Sequence, residues 1–301
     1  MTGAWHVSSF GIALGLSFSL AGCEEGGETS PDAGVQARCS PTAMFGRRTT
    51  VASLSSPNNE EQAALSPDEL TMFFSRDDGN GAFDIFEAKR ASATGAFDSG
   101  TPVPGVNTSA EERAPRVTAD GLTMYATTRA TPNGQFRVAA ATRASTDGMF
   151  GALQPVPGIN GTTNDSDPWI SADGRVLYFS SDRTGNYGLY RSTQTGGVFS
   201  APELVRGTNL DTPYMELAPV LTEDELTLYF ASSRPNLGSV DVFEATRATA
   251  QDPFGEPVNL TEINGVNGDV PSWVSADNCQ LYVTHFDPTL NLEIITAFRG
   301  K

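Results

Sequence analysis

Five carboxylates recur at nearly equal intervals along this chain: Glu60, Glu112, Asp165, Glu216 and Asp269. Each stands eight residues ahead of the aspartate of a Ser/Thr-x-Asp turn, at Asp68, Asp120, Asp173, Asp224 and Asp277. Gathered around one axis, such acids could hold a hard cation such as Ca²⁺, which takes six to eight oxygens, or recognise a cationic peptide. Two of them about 5–9 Å apart would suffice for glycoside hydrolysis. The chain also supplies a competing use, because Arg76, Arg129, Arg183 and Arg234 follow at matching intervals and can neutralise the acids as ion pairs. Unpaired clustered carboxylates repel one another, so pairing is the favoured reading and no metal is assigned. The fifth unit has no such arginine and carries His285 in its place. Asp269 is therefore the acid expected to stay free.

Catalysis finds little else to work with. A catalytic pair needs two carboxyls in differently tuned surroundings, whereas these acids repeat in every unit. No G-x-S-x-G elbow, H-E-x-x-H pair or Gly-rich phosphate loop is present. A lone histidine in a loop reads as a surface residue, so no catalytic residue is assigned.

The elements that must position these residues follow from the spacing of the turn aspartates, which is 52, 53, 51 and 53 residues. Self-similarity at such a period marks units that bury their apolar faces only against neighbours. Before each turn stands a short apolar run, such as Pro168-Trp169-Ile170, Pro219-Val220-Leu221 or Ser272-Trp273-Val274. After it comes a run rich in aromatic and β-branched residues, as in Leu70 to Phe74 and Leu226 to Phe230, suited to a strand. A third strand is expected from Phe83 to Ala88 and its counterparts, and a fourth is marked by Phe97, Phe150, Phe199 and Phe254. Four short antiparallel strands per unit make an all-β, five-bladed β-propeller. The last unit ends after its third strand, while Met44-Phe45-Gly46 repeats Met149-Phe150-Gly151 without a blade before it. Residues from about Phe45 to Leu54 should complete the last blade, giving a propeller domain over 43–301 and a monomer.

Residues 1–22 read as an export signal. Phe10 to Leu20 is apolar but too short to span a bilayer, and it leads into Leu20-Ala21-Gly22-Cys23. That tetrapeptide resembles the lipobox of bacterial lipoproteins, which implies that Cys23 becomes the lipidated N-terminus. The usual Lys or Arg ahead of the apolar run is missing, and a cleaved secretory peptide with an incidental cysteine is the alternative; either way the chain is exported. Residues 23–42 are acidic and Gly-rich, with too little apolar area to fold alone, and read as a tether. Glu24 after Cys23 points to outer-membrane sorting.

Cys39 and Cys279 then remain as a pair, either bonded in an oxidising compartment or two free thiols. A propeller would bring the closing strand and the last-blade hairpin to one face, where a bond could pin the closure. The chain carries 19 Lys and Arg against 36 Asp and Glu, a formal charge of −17. A surface this acidic excludes nucleic acid, whose phosphates need basic patches.

One unit, Ser171-Ala172-Asp173-Gly174-Arg175-Val176-Leu177-Tyr178-Phe179-Ser180-Ser181-Asp182-Arg183, resembles the TolB-like, WD-repeat-like propeller repeat. Asp84-Ile85-Phe86 and Asp241-Val242-Phe243 match its last element, whereas Glu69, Glu225 and Asn278 replace the turn glycine. The resemblance covers residues 44 to 299. It implies a periplasmic or cell-surface propeller that binds a protein, peptide or glycan of the envelope through its channel mouth without catalysis; a carboxylate-dependent glycan-processing hydrolase is the alternative.

Overall fold

The computed structural model describes residues 38–301 except 78, 80, 236 and 237. The signal segment, Cys23 and most of the expected tether lie outside the described residues. Five antiparallel blades surround a central axis, and no described residue is helical. The innermost strands are Glu60–Leu65, Glu111–Val117, Asp165–Ile170, Glu216–Leu221 and Asp269–Val274. Each pairs through its hairpin with a second strand: Thr71–Asp77, Thr123–Arg129, Val176–Ser181, Thr227–Ser232 and Gln280–Phe286. The third strands are Phe83–Lys89, Arg137–Thr142, Gly188–Thr195, Asp241–Thr246 and Leu292–Phe298. In the third blade that strand also folds back on Val198–Phe199, a small hairpin the other blades lack.

The hairpins show why the Ser/Thr-x-Asp triplet recurs. Ser66 Oγ donates to Asp68 (2.6 Å), Asp68 accepts from the Leu70 amide (3.0 Å), and Ser66 Oγ accepts from the Thr71 amide (2.9 Å). The same net forms at Thr118/Asp120, Ser171/Asp173, Thr222/Asp224 and Ser275/Asp277. The next residue must take positive φ: 69° at Gly121 and 71° at Gly174, but 57° at Glu69, Glu225 and Asn278. A side chain there costs about 1–2 kcal/mol, and each is put to use in compensation. Glu69 meets Arg38 and Arg90, Glu225 meets Arg247 and the Tyr178 hydroxyl, and Asn278 accepts from the Tyr229 hydroxyl.

The outermost strands differ from expectation. They are two-residue ladders at Thr101–Pro102, Gln154–Pro155, Glu203–Leu204 and Val258–Asn259, each beginning four residues after the marker phenylalanine. The phenylalanines are wedges between blades. Phe150 meets Phe73 edge-on at 6.4 Å, Phe199 meets Tyr125 at 6.4 Å, and Phe45 meets Tyr229 at 6.2 Å. A second arginine series stacks over four of them at 4.1–4.5 Å: Arg90 on Phe97, Arg143 on Phe150, Arg247 on Phe254 and Arg299 on Phe45. Their Nε atoms donate to carbonyls of the hairpin turns at Glu69, Gly121, Glu225 and Asn278. Each guanidinium thus joins a turn to a wedge through both cation–π and hydrogen-bond contact.

Thr49–Thr50 pairs with Thr296 and Ile295, so the early segment completes the last blade and closes the ring. The fold reaches further toward the N-terminus than residue 43. Cys39 and Cys279 are disulfide-bonded with Cα atoms 5.5 Å apart, the Ser40 amide donates to Gly300 O, and Arg38 pairs with Asp277 at 2.7 Å. Residues 38–42, read as tether, belong to the propeller.

Asp277 offers a pH test of this attachment. The hydrogen bond from Arg38, reinforced by Ser275 and the Cys279 amide and opposed by burial, pulls its carboxyl from 3.8 down to about 2. A depressed carboxyl stabilises the fold fully above its unfolded value, and the contribution is lost as pH falls through about 2. Arg38→Gln should move the Asp277 midpoint back toward the ordinary range, read by carboxyl-carbon NMR titration.

Candidate functional site at the axial channel

The five periodic acids sit where their innermost strands begin, yet their side chains do not face an open channel. Glu60, Glu112, Asp165, Glu216 and Asp269 are all buried. Each accepts from the residue four positions earlier, which fastens the loop running into the blade: Ser56, Thr108, Gly161, Thr212 and Gly265. Arg76 pairs with Glu60 (2.9 Å), Arg183 with Asp165 (2.6 Å) and Arg234 with Glu216 (2.9 Å). The same arginines donate to loop carbonyls at Leu54, Ile159 and Asn209. These stations are internal locks.

The fifth acid is held as well. Asp269 accepts from His285 Nδ1 at 2.8 Å and meets Arg48 at 3.4 Å, and Arg48 also reaches the Ile263 carbonyl at 3.2 Å. Arg48 comes from the closing segment, so the missing arginine is supplied from the other end of the chain, and the expectation of a free Asp269 is corrected. The acid without a guanidinium is Glu112. In the second blade the innermost strand starts one residue earlier, Glu111 stands opposite Arg129 and takes its guanidinium, and among the described residues Glu112 accepts from the Thr108 amide and hydroxyl alone. Burial, opposed by the Thr108 bonds, raises the Glu112 carboxyl above its ordinary range. Glu112→Gln keeps an acceptor for Thr108 and removes a buried charge, so its melting temperature should match or exceed that of the parent. Glu216→Gln strands Arg234 and should melt earlier; paired thermal melts at neutral pH check the contrast.

The channel itself is lined by the residues just after the acids, and here the repeat breaks. One mouth, a cavity of about 240 Å³, is walled by Glu61, Gln62, Arg113, Ser166 and Asp167 on one arc and by Leu217, Ala218 and Val270 on the other. Phe136, Tyr187 and Phe286 stand at its edge. A bulge in each innermost strand shapes this ring, and Gln62, Ala114, Asp167 and Ala218 take φ of 51–52° there. Arg113 pairs with Glu61 and, at 3.2 Å, with Glu111, while its guanidinium lies 4.9 Å from the Phe83 ring centre. Gln62 Nε2 donates to Asp167 at 2.6 Å, and Ser166 Oγ donates to the same carboxylate at 2.9 Å. Burial pushes the Glu61 carboxyl up against the opposing pull of Arg113, and burial with nearby aspartates raises the Tyr187 hydroxyl to about 12. Gln62 Oε1 is buried without a hydrogen-bond partner among the described residues.

Toward the other ends of the innermost strands, Arg116, Trp169 and Trp273 line the opposite end of the channel. The two indoles meet Tyr178 and Tyr282 of their own blades edge-on at 5.8 Å, and each also packs toward the next blade, Trp169 in one apolar cluster with Val220 and Leu221 and Trp273 against the cluster that holds Leu65 and Phe74. Among the described residues no group of three or more His, Cys, Asp or Glu side chains is placed to hold a metal ion. None of the mouth residues was singled out by the periodic pattern, although the positions right after the acids are where the five units disagree most in charge and size.

A closed five-bladed ring with one asymmetric polar mouth defines the class of protein. No family model and no curated protein matches the sequence. Solved structures do. A family-43 β-xylosidase/α-arabinofuranosidase from a compost microbial metagenome superimposes with a TM-score of 0.58 at 14% identity, over 85% of this chain and 95% of that one. The GH43_1 enzyme from Xanthomonas citri gives 0.57 at 15% identity, over 85% and 89%. TolB from Acinetobacter baumannii gives 0.45 at 17% identity, over 86% and 64%. At 14–15% identity the likeness to the two family-43 enzymes is one of fold alone.

Proposed function

We propose that the chain is an exported, lipid-anchored binding module of a bacterial envelope, monomeric and non-catalytic, which presents the Gln62 mouth to a protein, peptide or glycan partner. The observation that carries this reading is the buried, unpartnered Gln62 Oε1. An acceptor left unmade inside a fold costs about 1–3 kcal/mol, and a ligand N–H or O–H reaching into the mouth would recover it. The two carboxylates beside it argue for recognition over proton transfer. Glu61 is bound by Arg113, and Asp167 by Gln62 and Ser166, so neither stands ready as a free base. Lipidation at Cys23 and outer-membrane placement form part of the proposal, since tethering raises the local concentration of the module.

The glycan-processing alternative is separated by experiment. Because Glu112 and Glu216 are buried in loop locks, the variants that speak to chemistry are Glu61→Gln and Asp167→Asn. Aryl xylosides and arabinofuranosides should be left intact by the parent protein, while a partner captured from native envelope should be lost on Gln62→Leu. Turnover that vanishes in Asp167→Asn with the fold intact would overturn the binding-only reading. Cys23→Ser should release the protein from membranes.

A further inference from the structure

The opposite end of the channel carries a feature that the Gln62 mouth does not explain. Arg116 projects among Leu65, Ile170, Leu221 and the two indoles, Trp169 and Trp273. The other blades place Ala64, Trp169, Val220 and Trp273 at the matching register position. Its Nη atoms donate to the Ser272 and Pro115 carbonyls, and it forms no salt bridge among the described residues. Its Nε is buried and has no hydrogen-bond partner among the described residues. A desolvated guanidinium without a counter-ion is costly to the fold. We propose that this end of the channel is a second binding site, which takes the C-terminal carboxylate of a peptide whose last residue is apolar.

The chemistry of the walls selects that ligand. A guanidinium offers five donors in a planar fork that matches a carboxylate, and the unused Nε–H supplies one prong beside Nη. The cavity measures about 100 Å³, room for about three waters at ~30 Å³ each, which suits a carboxylate and a small side chain rather than a sugar ring. Apolar side chains and indoles surround it, with little to satisfy a ring of hydroxyls. Glu69 and Glu223 stand at the rim and disfavour doubly charged phosphate more than a single carboxylate. Desolvation draws the Arg116 side chain down to about 10 against the opposing field of Asp167, which makes no salt bridge with it.

The test follows tryptophan fluorescence of the whole exported chain, since Trp169 and Trp273 border the site. N-acetyl-Gly-Val with a free carboxylate should give a saturable change with a Kd on the order of 1 mM. The corresponding C-terminal amide and glucuronate should each bind at least about tenfold more weakly, a gap of roughly 1.4 kcal/mol. Arg116→Met should abolish the saturable change while melting no earlier than the parent protein, because replacing an uncompensated buried charge by an apolar chain relieves strain on the fold. Equal binding of acid and amide, or of glucuronate and the peptide acid, overturns the proposal. So does an earlier melt of Arg116→Met, which would make the arginine a structural tie between the Ser272 and Pro115 carbonyls. Loss of partner capture at Gln62 leaves these readings unchanged, so the two sites are judged separately.

Discussion

Arg113→Ala should lower the unfolding free energy by about 3–5 kcal/mol, the cost of removing one member of a buried ion pair. Arg113 bridges Glu61 of the first blade and Glu111 of its own, so it is the ionic contact that crosses a blade boundary at the mouth. Its loss leaves Glu61 buried with a carboxylate that burial already pushes toward its protonated form. The defect should therefore depend on pH. A raised carboxyl contributes its stabilisation below its unfolded value and loses it as pH rises through the folded one, so the variant should be least stable near neutrality and recover partly in mild acid. Denaturant melts at pH 7 and pH 5 check both the size and the sign. The double variant Glu61→Gln/Arg113→Ala should recover part of the loss, because the orphaned charge is then gone.

Breaking the Cys39–Cys279 bond should cost about 2–5 kcal/mol. The bond closes a loop with a sequence separation of 240 residues, near the upper end of what loop entropy can supply. It also holds the segment that ends in the two-residue closing ladder, Thr49–Thr50. Cys39→Ser/Cys279→Ser should melt well below the parent, and the parent with reductant should match the double variant. Equal melts of oxidised and reduced protein would show that Phe45, wedged against Tyr229 beneath Arg299, closes the ring unaided.

The architecture was legible because each unit repeats its apolar runs and its turn chemistry at one period. A two-residue ladder offers no periodicity to read, so the sequence marks the outer strands only through the phenylalanine wedges, four residues ahead of where pairing begins. The site was harder to see for a physical reason. Periodic residues such as Glu216 and Arg234 are locks, whereas Glu61, Gln62, Arg113, Ser166 and Asp167 matter through their differences, and laying units over one another hides differences. The fifth station misled for another reason: Arg48 lies more than two hundred residues from Asp269 in sequence, and only ring closure brings them together. At Glu112, a single adjacent acid, Glu111, diverts Arg129.

The site of the N-terminal crosslink sets how the molecule bears mechanical load. Tension applied to any residue ahead of Cys39 meets a covalent bond to the final blade before it reaches the Thr49–Thr50 ladder. The weak seam is thereby placed downstream of a rivet, and a pull that would unzip two backbone pairs is instead passed into the sheet that carries Cys279.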